Sequence, residues 1–322
     1  MTNKLHFDIT DCTPFAEGHE FGDAGAYERL RGWVRYAVDP NAPAQSTVVD
    51  IDKVPVNAEG LVEFSAEVYI LRPVDSAKGN KRVFYDYGNR GSLRAVQYFN
   101  EAPHSNDPTT LEHAGNGYFF RRGYTLVWSA WQGDLLPGDD RVVMELPVAT
   151  DGGKPITGMV RQEFIPAEPK FCFPLSGRPA TRSHPTTSLD TSKASLTKRR
   201  YPASERIAIP SDKWRYALSL SGTGVSGETA TRGASENSII PSPQFIYLDE
   251  GFQPGWIYEL IYEAHSPLVM GLGHVAVRDL VSFLKYNDVD AKGAPSPVGP
   301  VEKAYGWGRS QTGRCLRDFL YR

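Results

Sequence analysis

The chain has 322 residues, of which 40% are hydrophobic and 23% charged, enough apolar material for a sizeable core and too much charge for a membrane-embedded protein. A formal net charge of -3 and a pI near 6.2 argue against nucleic-acid binding, which needs a strongly basic face. Cys12, Cys172 and Cys315 lie too far apart in sequence to form a C-x-x-C metal pair or a disulfide framework.

From the N-terminus, MTNKLHFDITDCTPF lacks the charged start and apolar run of a signal peptide, and no later stretch approaches a membrane span. These features predict a cytoplasmic protein with no membrane or nucleic-acid partner and no cofactor or metal. Residues 27–72 alternate as strands do (YERLRGWVRYAV, STVVDIDKV, LVEFSAEVYILRP) with turn residues between them, which predicts an antiparallel meander. RVFYDYG, from Arg82 to Gly88, reads as a strand ending in a turn, and SLRAVQYFNE as a helix. GYTLVWSAW, from Gly123 to Trp131, reads as a further buried strand.

From about 140 to 254 Gly, Pro, Ser and Thr recur every few residues around short strand candidates such as GMVRQEFIP and FIYLD. This predicts a β-rich insertion within one domain spanning 1–322. Lys198, Arg199 and Arg200 form the only tight basic cluster and are expected on a solvated loop. Val275, Leu280, Phe283 and Leu284 recur at helical spacing and predict a helix over 273–286. The last segment, VEKAYGWGRSQTGRCLRDFLYR, gives a short strand, a glycine-flanked turn and an amphipathic helix.

That turn carries the chemistry. A serine becomes a useful nucleophile where a sharp strand-to-helix turn exposes its hydroxyl and the helix N-terminus aims N–H groups at a developing oxyanion. Ser310 follows Gly308 by two residues and precedes Gly313 by three, whereas the regular G-x-S-x-G spacing would put the second glycine at Thr312. The alternative reading is a serine that merely caps the helix. Three phosphate-loop look-alikes are weaker. Gly308–Cys315 lacks the Lys and Ser/Thr of a P-loop, Gly222–Gly227 has no helix after it, and Gly271–Ala276 reads as a glycine turn into a core helix.

GDAGAYERLRG, NRGS at 89–92, RRGYTLVWSAWQGD, GLGHVAVRDLVSFL and GRSQTGRCLRDFLY together resemble a family of bacterial and fungal proteins known only as α/β-hydrolase domain proteins. The resemblance implies an α/β fold with a mostly parallel α/β-hydrolase-like sheet, incomplete at the C-terminus. It puts Ser310 at the nucleophile and the backbone N–H of Gln311 at the first oxyanion position. A second donor would come from the Asn89-Arg90-Gly91 turn, from Arg90 or Gly91.

Asp134, which precedes the serine, is read as a loop-fixing carboxylate rather than a triad acid. The order nucleophile, acid, histidine would leave the acid and base beyond Arg322, because His6, His19, His104, His113, His184, His265 and His274 all precede Ser310. The expectation is therefore a fragment of a serine hydrolase that cleaves small carboxylic esters through an acyl-enzyme, with little activity of its own. A non-catalytic module that binds a small molecule or sugar, using Trp128, Trp131 and Trp307, is the second reading.

Overall fold

A computed structural model describes residues 3–219 and 239–321. The Gly222–Gly227 look-alike lies outside them. The chain forms two compact units, one made of Met1–Pro147 and Leu268–Arg322, the other of Val148–Pro267. The stretch read as β-rich at about 140–254 overlaps the second unit.

The first unit is built on a seven-stranded sheet. Its strands are β1 (Lys4–Pro14), β2 (Tyr27–Val38), β3 (Val62–Pro73), β4 (Arg82–Asp86), β5 (Thr125–Ser129), β6 (Met144–Glu145) and a final strand, Lys303–Trp307. The order is β1-β2-β3-β5-β4-(303–307), with β6 beside β3. Along β2 the side chains alternate: Leu30, Val34, Tyr36 and Val38 are buried and the arginines between them are not, which is the half-covered pattern of an antiparallel ribbon. In β4 and β5 nearly every residue is buried, because both faces are covered.

This arrangement corrects the expected mostly parallel α/β-hydrolase-like sheet. The pairs β1–β2, β2–β3, β3–β5 and β3–β6 are antiparallel, and only β4–β5 and β4–(303–307) are parallel. Among the described residues helices are few as well. The short α1 (Ala95–Phe99), α2 (Leu111–Ala114) and α3 (Tyr118–Arg121) are one turn or little more, and only α4 (Leu272–Tyr286) and α5 (Gln311–Phe319) are longer. An apolar run that ends in a glycine turn reads alike whichever way its partner runs, so the long antiparallel ribbon was visible as strands while its share of the sheet was not. Helix α4 is a core helix, with Leu272, Val275, Ala276 and Leu280 buried, as the glycine-turn reading of Gly271–Ala276 requires. Among the described residues no helix is long and apolar enough to cross a membrane.

The second unit is antiparallel throughout its main sheets. Ile207–Ile209, Ser195–Arg199, Ile257–His265 and Thr157–Phe164 form one, and Lys170–Pro174, Phe245–Phe252 and Trp214–Arg215 another. Phe164, Trp214, Tyr216, Phe252, Tyr258 and Tyr262 fill its core. Of the basic cluster expected on a solvated loop, Arg200 is exposed beyond the strand end, but Lys198 and Arg199 lie in the strand Ser195–Arg199. Arg199 is a strand residue only 4% exposed, and it donates to the equally buried Glu259 at 3.1 Å, where Arg206 and Arg161 also donate, both at 2.7 Å. Lys198 and Arg200 instead lie over the Trp256 ring. A buried arginine is tolerated when it is paired, and the partner lies sixty residues away in sequence.

Candidate active site at a strand-to-helix turn

Strand 303–307 runs parallel to β4, with Trp307 opposite Asp86, so the turns that follow the two strands leave the same edge of the sheet. In parallel sheets the carboxyl ends of adjacent strands form a natural crevice. One turn carries Asn89, Arg90 and Gly91; the other carries Gly308, Arg309 and Ser310.

Ser310 sits at the N-terminus of α5 with φ 58° and ψ -118°, and its side chain makes no capping hydrogen bond. A serine that caps a helix has extended dihedrals and accepts from the first-turn N–H groups. Ser310 does neither, and it is exposed. A non-glycine residue in this region of backbone space costs about 1–3 kcal/mol, so the surrounding turn must impose it. Two contacts do so. Gly308 lies so close to the first turn of α5 that a Cβ there would meet the Thr312 carbonyl oxygen at 2.5 Å. Thr312, 1% exposed, accepts from the Arg309 N–H at 2.8 Å and donates to the Arg309 carbonyl at 3.0 Å. The departure from G-x-S-x-G therefore places a hydroxyl where it ties the turn together.

The expected oxyanion donors divide. Gln311 opens α5, and among the described residues its N–H has no acceptor, as first-turn N–H groups do not unless capped. Arg90 has φ 54°, ψ 41°, and its N–H is likewise uncommitted among the described residues. Gly91 is different: its N–H donates to the Gly88 carbonyl at 3.3 Å, so it does not face outward as a donor. Its glycine character has another cause, since φ is +74° and a Cβ would meet the Val142 carbonyl at 2.4 Å. The Gly91 carbonyl accepts from Val142 N–H at 2.9 Å and the Gly88 carbonyl from the Trp131 indole at 3.1 Å, which hold this turn from outside.

A pocket of about 310 Å³ joins the two turns. Asn89, Arg90 and Ser92 line it on one side and Trp307, Arg309 and Thr312 on the other, with Tyr87, Arg94 and Tyr98 completing the wall. Asp86 also lines it. It is 1% exposed, and its Oδ2 accepts from Arg94 N–H and Ala95 N–H, both at 2.8 Å, and from the Trp128 indole at 2.6 Å. Its other oxygen, and the Tyr87 hydroxyl, are buried without a hydrogen-bond partner. Burial pushes the Asp86 carboxyl up to about 6, against the pull of its three donors.

Sequence reasoning passed over Asp86, Arg94 and Tyr98. The available signal was an acid closing an apolar strand, which is costly unless donors converge on it.

Among the described residues no histidine lines this pocket. His274, on α4, lies 3.7 Å from Asp318 of α5 and stacks on Phe319, beside a separate cleft that Trp131 also lines. His104 is exposed and meets Asn106 at 3.0 Å, and burial and then Arg94 lower its pKa. Asp134 makes no hydrogen bond among the described residues and has one buried, unpartnered oxygen, so the loop-fixing bond expected of it is absent there. Trp128 is fully buried, while Trp131 and Trp307 face different cavities, so the three tryptophans do not line one pocket. Among the described residues no group of three or more His, Cys, Asp or Glu is placed to hold a metal.

Comparison with family models, with curated proteins and with solved structures finds no match to this chain. With the mostly antiparallel sheet and few helices among the described residues, this overturns the resemblance to α/β-hydrolase domain proteins.

Proposed function

We propose that this protein is a serine hydrolase acting on small carboxylic esters, with Ser310 as the nucleophile. The observation that carries the reading is the backbone of Ser310, an exposed serine held at positive φ at the head of a helix it does not cap. Ser310 is exposed and its hydroxyl is not spent on capping the helix, and the N–H groups of Gln311 in its own turn and of Arg90 in the neighbouring turn are uncommitted among the described residues, which supports the reading.

In the proposed reaction Ser310 Oγ attacks the ester carbonyl carbon while a general base takes its proton. The carbonyl oxygen becomes an oxyanion facing the N–H groups of Gln311 and Arg90. Collapse breaks the bond to the leaving alcohol, which departs with the proton, and water then releases the acid from Ser310.

The test is labelling with a fluorophosphonate probe followed by peptide mapping. Label on Ser310 that disappears in Ser310→Ala supports the reading. Equal labelling of both proteins, or label confined to another residue, ends it.

A further inference from the structure

The pocket bordered by Arg309 and Thr312, which flank Ser310 without Ser310 itself being among its lining residues, also has Arg90 and Arg94 on its wall, three arginines in a chain whose net charge is -3. Among the described residues none of the three is ion-paired. Arg94 donates to the Gln97 amide at 2.8 Å, and Arg309 lies over the Tyr98 ring, 4.8 Å from its centroid, and donates to its hydroxyl. These partners are neutral and orient the forks without neutralising them. Among the described residues the one acid on the lining is Asp86, whose bonded oxygen already serves three donors, and even when it is ionised the described lining keeps a net positive charge. Asn89, Ser92 and Thr312 add further polar groups.

Three arginines without a salt-bridge partner among the described residues around one small cavity suit an oxyanion, which guanidinium groups bind in a fork. At about 310 Å³ the cavity suits a short molecule rather than a long acyl chain. We infer that the ester cleaved at Ser310 carries a carboxylate or phosphate group, seated against Arg90, Arg94 and Arg309 while the ester carbonyl reaches the turn. This inference rests on Ser310 being the nucleophile for its meaning as a substrate site, but the anion pocket is measurable without it.

Isothermal titration of the full chain at low ionic strength with succinate, inorganic phosphate and the neutral succinamide tests it. Saturable binding of succinate or phosphate, absent for succinamide, is expected; which anion binds more tightly identifies the substrate's group. Arg94→Gln and Arg309→Gln should each weaken it about tenfold, the scale of one charge-assisted hydrogen bond. Arg309→Lys, which keeps the charge, should recover part of the loss, and circular dichroism should show all variants folded. No saturable binding of either anion, or binding unchanged in both glutamine variants, overturns the inference. Ser310→Ala should bind as the wild type does. Anion binding with no fluorophosphonate label on Ser310 would sink only the nucleophile, and labelling with no anion binding would sink only the anion pocket.

Discussion

The Thr312 side chain closes on the backbone of Arg309, accepting from its N–H at 2.8 Å and donating to its carbonyl at 3.0 Å. One hydroxyl thus satisfies both backbone groups of the residue before Ser310. Replacing Thr312 by Gly would restore the regular G-x-S-x-G spacing and yet remove this tie. Thr312→Gly should therefore reduce fluorophosphonate labelling at least tenfold and destabilise the protein by about 1–2 kcal/mol, whereas Thr312→Ser should keep both near wild type. Equal labelling of the two variants would show that the turn does not need the hydroxyl.

Gly308 gives a steric counterpart. Its missing Cβ would stand 2.5 Å from the Thr312 carbonyl oxygen and 2.6 Å from the carbonyl carbon, both backbone atoms that cannot swing away. Gly308→Ala should cost about 2–3 kcal/mol in urea unfolding and abolish labelling of Ser310, because the first turn of α5 must move to admit a methyl group. A Gly308→Ala protein of wild-type stability would show that the turn has room for a methyl group despite the 2.5 Å approach.

Asp86 couples the site to pH. Its carboxyl, raised from 3.8 to about 6 by burial, binds its proton more tightly in the folded state than in the unfolded one. The group's contribution to stability therefore grows as pH falls through about 6 and is complete below 3.8. Asp86→Asn keeps an acceptor for the donors but cannot titrate. The wild type should gain stability relative to this variant between pH 7 and pH 4, and a difference independent of pH would contradict the assignment. Asp86→Ala, which strands two backbone N–H groups and an indole, should cost about 3 kcal/mol.

In the second unit the sign reverses. Arg206 above all, with Arg199 and Arg161, holds the Glu259 carboxyl down at about 2 against the opposing effect of burial. Because the folded value lies below the ordinary 4.5, the stability this group supplies is present above that pH and is lost as pH falls toward 2. Glu259→Gln should cost about 3 kcal/mol at neutral pH by leaving Arg199 buried with a weaker partner, and should flatten acid unfolding over that window. Unchanged acid unfolding in the variant would show that the cluster does not govern it.

Ser310, its flanking Gly308 and the helix after it were legible because a strand-to-helix turn is written in consecutive residues. The same holds for the Arg90 turn and for β2, whose period-two alternation is visible in the sequence. What was not legible depended on distant partners. Whether β5 pairs with β3 in antiparallel and with β4 in parallel fashion is decided by packing, since a run buried on both faces looks the same in either direction. The Gly91 N–H, read as a free donor, is spent on Gly88, and Arg199, read as solvated, is buried against Glu259.

By itself, then, the sequence determined the local geometry that lifts Ser310 out of the chain. Only the tertiary structure decided the sheet's direction and the gathering of Arg90, Arg94 and Arg309 around one pocket. Dihedral preferences act between neighbours along the chain, whereas strand pairing and charge clustering act between residues that only folding brings together.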